Sequence, residues 1–357
     1  MTIEEQSTSE QVAQLAGVSR ATVSRVLNGS SKVSEETRKR IYAAIATLGY
    51  GSNIFTKAVP HGRSRLIALA MFGGEGGFNF SQLTMTQCHF YLELLRFIEQ
   101  AVAEAGYDLF LPTRPYSTFD AGVDPALNYV LSLQARGVEG VITVALGVDD
   151  PRTQGLCGSS MPAVFIDNLF QGRHATYVKS DYKGGAIQAT EHLLQLGHRR
   201  IAFFPGSLFS ITGTERFMGY QQAMASAGLS VDQRLVCQSG WETQDAYQAA
   251  LALLAERRDF TAIVANSDMM AFGILRALEE RNMRVPEDVS VIGFDDIDRS
   301  QYSDPPLSTI CQDKQAIGQG AVERLLQLMR GEESVSPLVV PTKLTARAST
   351  STPRNLH

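Results

Sequence analysis

The apolar positions of this chain change period along its length. From Glu10 to Leu48 they recur at helical spacing in three short runs, and a segment with little apolar content follows from Gly51 to Gly62. From Arg65 onward, short apolar runs alternate with amphipathic stretches. The first part predicts three helices: Glu10 to Ala16, a second of about eight residues bearing Val23, Val26 and Leu27 on one face, and Ser34 to Leu48. Ser19 is the expected N-cap of the second helix, with Asn28 and Gly29 as its left-handed stop. Glu35 and Glu36 open the third, whose buried stripe is Ile41, Ala44, Ile45 and Leu48, and Gly49 stops it.

The rest of the chain reads as strand then helix. Strands are expected at Leu66 to Phe72, Tyr107 to Leu111, Gly140 to Thr143, Pro162 to Asp167, Arg200 to Gly206, Leu235 to Gln238, Thr261 to Asn266 and Val289 to Asp296. Helices are expected at Leu92 to Ala105, Asn128 to Arg136, Gly184 to Leu196, Arg216 to Ala227, Gln244 to Glu256 and Met269 to Arg281. This alternation implies two parallel sheets covered by helices. A long Gly-rich polar stretch, Gly73 to Gln87, interrupts the pattern after the first strand. It fits a lid over a cleft, with Phe78 and Phe80 stacking on an extended ligand, or a surface loop that tolerates length.

A helix of eight residues does not stand alone in water. The second must dock on its neighbours, which gives a helix-turn-helix with a supporting third helix. Its polar face carries Arg20, Thr22, Ser24 and Arg25. Arginine reaches a guanine edge with two hydrogen bonds, and serine or threonine reaches phosphate. A helical hairpin with a solvated polar face, and no DNA partner, has the same spacing.

Charge favours the DNA reading. Residues 1 to 63 hold eight Lys or Arg against five acids, or +3, which leaves −8 for the remainder of a chain whose net charge is −5. A basic head on an acidic body directs phosphate to one face. The 357 residues suffice for two or three compact units, and no apolar run approaches a bilayer span. The acidic, polar opening MTIEEQSTSE does not read as a signal peptide, so a cytoplasmic location is expected. Cys88, Cys157, Cys237 and Cys311 are far apart, so they are expected to be reduced thiols rather than metal ligands.

Residues 9 to 50, and Val12 to Tyr50 (VAQLAGVSRATVSRVLNGSSKVSEETRKRIYAAIATLGY) above all, resemble the headpiece of LacI-family transcriptional regulators. The resemblance implies that Arg20 reads guanine and that Ala21 offers a methyl contact, with Arg25 behind them. It also implies that Asn28 contacts DNA near the helix end, and that Ser19, Thr22 and Ser24 contact phosphate. In the family, the segment after the headpiece folds into a hinge helix on DNA and wedges a leucine into the minor groove. Here Asn53 is kept, Ile54 replaces the family's proline, and Val59 stands where the leucine would be, directly before Pro60. Proline disfavours helix at the residue before it, so either the hinge ends early or the segment is a plain linker.

Arg65 to Arg347 also resembles the family's effector domain, which has a periplasmic-binding-protein-like fold. The matching motifs are Ser180 to Phe203, Thr214 to Met224, Asn266 to Leu278, Arg284 to Ile297 and Pro305 to Asp313. The expected fold class is therefore a small all-α helix-turn-helix domain followed by two doubly wound α/β subdomains. The expected boundaries are 1–50 for the headpiece, 51–62 for the hinge and 63–357 for effector binding and dimerisation. A carboxylate at the end of a parallel strand faces a cleft, and a carboxylate with an arginine binds neighbouring hydroxyls. Asp295 and Arg216 are the chosen pair, and the family's matching residues contact effector. Ser267 and Asp268 match a polar cleft position. Trp241 matches an aromatic placed against the effector ring, though a surface-packed core tryptophan is its plain alternative. Ser210, Thr212 and Asn168 are further candidates. Phe90 and Tyr91 match an aromatic pair near the effector, or simply begin a helix core.

No GxSxG, P-loop, HExxH or GxGxxG motif is present, so no enzyme, metal or cofactor is expected. Asp295 and Asp296 are adjacent on a strand and should point apart, which argues against a catalytic dyad. His198 sits in a Leu-Gly-His corner, where a cation would meet a helix dipole. The resulting reading is a cytoplasmic homodimeric repressor that binds a pseudo-palindromic operator. A sugar or oligosaccharide between the two α/β subdomains releases it. The alternatives are a corepressor-type regulator answering to a purine or nucleoside, a solute-binding protein, and an enzyme built on the same cleft.

Overall fold

The computed structural model describes residues 9–27, 33–48, 64–71, 89–112 and 124–354. The described part of the chain folds as two compact units. The first is drawn from Met1–Asn79, Ile98–Val178 and Gly318–Leu338, and the second from Phe80–Phe97, Lys179–Ile317 and Val339–His357.

The chain opens with α1 (Ser9–Ala16), α2 (Arg20–Leu27) and α3 (Glu35–Leu48). Gly17, at φ +65°, ends α1. Its N–H donates to Gln14 O at 3.2 Å, and that of Val18 to Ala13 O at 2.9 Å, the paired bonds of a Schellman stop. The starts of α2 and α3 repeat one device. Ser19 Oγ accepts from Thr22 N–H at 3.2 Å, and Ser34 Oγ accepts from Thr37 N–H at 3.3 Å. Val12, Ala13, Ala16, Val23, Val26, Ile41, Ala44 and Ile45 close the core of this three-helix unit. Leu131, from a helix much later in the chain, completes the same cluster.

The first unit's sheet contains β1 (Leu66–Met71), β2 (Asp108–Phe110), β3 (Val138–Val144), β4 (Ala163–Ile166) and β5 (Ala175–Ser180). Interleaved with these are α4 (His89–Glu104), α5 (Pro125–Gln134) and α6 (Pro151–Cys157). Its order is β10-β5-β4-β3-β1-β2, where β10 is Leu338–Val340, and the pairs among β1 to β5 are parallel. The second unit contains α7 (Tyr182–Gln195), β6 (Ile201–Phe204), α8 (Ile211–Ser226), α9 (Thr243–Glu256), β7 (Ala262–Ala265), α10 (Asp268–Glu280), β8 (Ser290–Asp295) and β9 (Ser308–Gln312). α11 (Lys314–Met329) and β11 (Thr342–Thr345) follow. The second sheet runs β11-β9-β8-β7-β6, parallel except for β11.

The strand expected at Leu235 to Gln238 is not formed; the structure has a short 3-10 turn at Gln233–Leu235 and a single parallel bridge from Val236 to Phe203. That bridge lies on the free edge of β6. With it, both sheets share one doubly wound order, in which the second strand lies outside the first and the rest follow on the other side. The long stretch Gly73 to Gln87 lies outside the described residues.

His198 corrects an expectation. It is buried rather than a cation at a helix end, and burial lowers its pKa below the ordinary histidine value, against the raising effect of its bond to Ser351 O. Its Nε2 lies 2.9 Å from Ser351 O, which only accepts, so Nε2 carries the proton and Nδ1 accepts from Thr261 Oγ1 at 2.9 Å. Neutral His198 thus ties the tail to the second sheet. Burial also lowers the pKa of His192, which bonds Thr350 Oγ1 at 2.9 Å. Unfolding frees both rings to bind protons near pH 6.5, so the unfolded chain gains protons first as pH falls. Stability contributed by these neutral rings is present above about pH 6.5 and lost below it. Urea unfolding at pH 7.5 and 5.5 should show this fall, and His198→Asn should make it shallower. An unchanged slope in the variant would mean that His198 does not titrate as described.

Candidate functional site

Two sites emerge, one on the helical head and one at the strand ends of the second sheet. On the head, Val23 and Val26 turn inward. That commits Arg20, Ala21, Ser24 and Arg25 to solvent, with Thr22 half-buried. The exposed face therefore carries two guanidinium groups and no acid. Ser19 Oγ and Thr22 Oγ1 lie 2.9 Å apart, so both serve the helix start as well as facing outward. Asn28, Asn53 and Val59 lie outside the described residues.

The second site is built around a buried ion pair. Arg216 projects from the second turn of α8, which begins at Ile211 rather than at Arg216 because Ser210 caps it, accepting from Gly213 N–H at 3.1 Å. The Arg216 side chain is 5% exposed, and its Nη2 lies 3.5 Å from Asp295 Oδ1. Its Nη1 donates to the backbone oxygen of Asn266. The guanidinium carbon stands 3.7 Å from the Phe294 ring centre, 5.0 Å from Tyr182 and 5.9 Å from Trp241. An arginine is less strongly hydrated than a lysine and stacks on rings, which is why it tolerates this aromatic wall.

Asp295 ends β8 and is buried. Gln312, at the end of neighbouring β9, donates from Nε2 to Asp295 Oδ1 at 2.7 Å. The two adjacent aspartates do point apart. Asp296 Oδ1 meets Arg347 Nη2 at 2.7 Å and its Oδ2 accepts from Thr345 Oγ1 at 3.3 Å. Both residues have positive φ, 123° and 51°, a conformation non-glycine residues adopt at a cost.

Other candidates occupy defined places. Asp268 is fully buried, and its carboxylate accepts from Thr309 Oγ1 at 2.5 Å, Ser300 Oγ at 2.6 Å and Ile297 N–H at 3.0 Å. Burial, followed by the nearby Asp295 charge, holds its pKa well above the usual carboxylate range, against the lowering effect of those three donors. This carboxyl binds the protein to itself. Ser267 caps α10, accepting from Met270 N–H at 3.1 Å. Trp241 is half-buried and covers Gly206, where an added Cβ would lie 2.8 Å from the indole. Thr212 Oγ1 lies 3.1 Å from Ser210 Oγ. Phe90 and Tyr91 form an edge-on pair at 5.3 Å in the first turn of α4. Asn168, in the first unit, is buried and donates to Leu146 O at 3.0 Å.

The sequence reading did not include Gln312, Tyr182 or Phe294. Gln312 lay within the noted motif Pro305 to Asp313, one strand over from Asp295. Tyr182 and Phe294 lay within the noted motifs Ser180 to Phe203 and Arg284 to Ile297. Two buried polar atoms in the cluster, Arg216 Nε and Gln312 Oε1, have no hydrogen-bond partner among the described residues. One is a donor and the other an acceptor, and a hydroxyl group satisfies either. Asp295, Gln312 and Arg216 with aromatic faces beside them form a cluster suited to a polyol ring.

Comparison with known proteins identifies the family. Residues 8–53 match the family model for bacterial regulatory proteins of the lacI family, and residues 190–350 match a periplasmic binding protein-like domain. The HTH-type transcriptional regulator CelR of Thermobifida fusca is 33% identical over 346 residues, covering 96% of this chain and 98% of its own length. The chain belongs to the LacI family. It is a DNA-binding transcriptional regulator with a helical head and a periplasmic-binding-protein-like body. A PurR repressor of Glaesserella parasuis is 28% identical, with 95% of each chain covered. Among solved structures, the CelR–cellobiose complex superposes with a TM-score of 0.70 at 33% identity, covering 96% of this chain and 99% of its own. The lac repressor dimer bound to operator and the anti-inducer ONPF gives 0.66 at 27% identity, covering 97% and 100%. No described helix is long and apolar enough to cross a membrane.

The exposed α2 face generates a test. Arg20→Ala should cost about 1–3 kcal/mol of discrimination between a cognate site, selected from random-sequence DNA, and a scrambled duplex. Binding titrations on both at fixed salt decide the matter. Equal losses on the two duplexes would reduce Arg20 to a phosphate contact.

Proposed function

We propose that this protein is a cytoplasmic, homodimeric repressor of carbohydrate-utilisation genes, and that a sugar or oligosaccharide bound at the Arg216–Asp295 site releases it from a pseudo-palindromic operator. Residues 1–50 serve as the headpiece, 51–62 as the hinge and 63–357 as the effector-binding and dimerising body. Arg20, Ala21 and Arg25 face the bases, while Ser19, Thr22 and Ser24 face phosphate, with Asn28, Asn53 and Val59 completing the DNA contact. Arg216 and Asp295 hold neighbouring hydroxyls of the effector, and Trp241, Phe90 and Tyr91 lie against its ring faces. Ser267, Asp268, Thr212, Ser210 and Asn168 are the further effector-binding residues of this reading. No enzymatic step belongs to this reading.

The observation that carries the proposal is the Arg216–Asp295–Gln312 cluster with its aromatic wall and two unmet polar atoms. The likeness to CelR, whose solved structure holds cellobiose, supports a disaccharide as the effector class. Release follows from differential affinity, because a sugar that binds one conformation better than the other shifts the balance between them.

Arg216→Ala and Asp295→Ala should each abolish sugar-dependent release while leaving operator affinity within about twofold, because neither residue lies on the headpiece. Gel shifts on a selected operator, with and without cellobiose and a panel of related disaccharides, measure both properties. Release at the wild-type sugar concentration in either variant would remove that residue from the site.

The dimer is tested separately. One short recognition helix reads about half a site, so useful affinity needs two. A fragment spanning 63–357 should sediment as a dimer at micromolar concentration, and a monomer there would overturn the assembly.

A further inference from the structure

The turn that presents Asp295 is under backbone strain, and two side chains absent from the scheme above hold it. Lys314, the first residue of α11, extends its amino group to the carbonyl oxygens of Asp296 at 2.7 Å and Asp295 at 3.3 Å. Both of these residues have positive φ. The same amino group lies 3.2 Å from Glu93 Oε2 and 5.8 Å from the Phe90 ring centre. Glu93, on α4 just after the aromatic pair, accepts from Asp298 N–H at 2.9 Å through its other oxygen. Both side chains are largely withdrawn from water, at 10% and 22% exposure. The Lys314 ammonium therefore has three close acceptors, all of them part of the turn or of Glu93. A bare cation at this place would attract an anionic ligand; this one is already committed.

We propose that Glu93 and Lys314 form a positioning clamp, which fixes the Asp295–Asp298 turn so that the Asp295 carboxylate meets the sugar, and which registers Phe90 and Tyr91 against that carboxylate. The inference rests on the assignment of the Arg216–Asp295 site to the effector. The physical basis is a division of labour. Asp268 and Arg347 secure the Ile297 amide and the Asp296 side chain. Neither reaches the carbonyls of the strained pair, and Lys314 does. Without it, the two peptides lose their charge-assisted donor, and the turn relaxes toward ordinary φ values that swing the Asp295 side chain away from Gln312 and Arg216. Glu93 completes the clamp by neutralising Lys314 and holding the Asp298 amide, and it transmits the position of the turn to the aromatic pair on its own helix.

The test uses the full-length protein and the variants Lys314→Met, Lys314→Arg and Glu93→Gln. Amide hydrogen exchange without sugar reads the turn directly. Lys314→Met should speed exchange of the Ile297 and Asp298 amides about tenfold. Lys314→Arg, which keeps a cationic donor, should stay near wild type, and exchange within β7 should be unchanged in all three. Titration with cellobiose by calorimetry reads the consequence. Affinity should fall about tenfold in Lys314→Met, about threefold in Glu93→Gln and little in Lys314→Arg. Unaltered exchange at Ile297 and Asp298 in Lys314→Met overturns the clamp whether or not sugar binds. Faster exchange with cellobiose affinity intact overturns its role in positioning Asp295. Faster exchange throughout β7 as well makes Lys314 a residue of general stability and also overturns the proposal. If the wild type binds none of the disaccharides, the effector assignment fails, while the exchange data still decide the clamp.

Discussion

The carboxyl group of Asp268 is the constraint on which the second unit's functional end depends. It is fully buried at the start of α10 and gathers the Ile297 amide and the Ser300 hydroxyl from the segment joining β8 to β9, and the Thr309 hydroxyl from β9 itself. A buried carboxyl without partners would cost several kcal/mol, so this segment has little choice of path once α10 is in place. The path includes two consecutive residues in a conformation they would not adopt alone, and the first of them is Asp295. Packing follows the same line. An added Cβ at Gly293 would lie 2.2 Å from Asp268 Oδ1, so β8 must present glycine there to let the acid through. That strand end carries Phe294 and Asp295 to the place where Arg216 of α8 and Gln312 of β9 meet them.

The alternation of strands and helices was legible in the sequence because each element of the body carries its own period. Element starts were harder to read. The sequence placed α5 at Asn128 and contained no reading of α6, yet both begin with the pair Asp-Pro. Asp124 accepts from Ala126 and Leu127, and Asp150 accepts from Arg152. That cap signal was available and outweighs the weak apolar spacing of α6. For α8, Gly213 masked the first turn. Glycine lowers helix propensity, but here it admits the Ser207 carbonyl, which would lie 2.1 Å from a Cβ. Close approach between elements is a tertiary fact that no local pattern announces.

The site was legible in part and for a physical reason. Arg216, Asp295 and Trp241 stood out as a charge pair and a lone indole at strand or helix ends. The structure brings the arginine within 3.5 Å of the aspartate and 5.9 Å of the indole. Gln312, Glu93 and Lys314 were not legible. A glutamine in a strand, and an acid and a base more than two hundred positions apart, acquire meaning only when β9, α4 and α11 converge. Asp268 shows the converse. Its sequence context suggested a ligand group, and the fold adds burial and three internal donors, a structural part that the sequence did not announce.

The shared cluster beneath α3 has a consequence for the history of such molecules. Three short helices bury little apolar surface by themselves, and here Leu131 of α5 adds a side chain to their core. Full burial of a leucine stabilises by about 1.5–3 kcal/mol, a large share of what so small a unit possesses. The reading head is therefore not a freely exchangeable cassette. Grafting it onto the body of a relative would transplant a core with one side chain missing, unless the host offered a fitting residue at the same place. Recombination between such genes would favour crossovers that carry α5 along with the head whose core it completes.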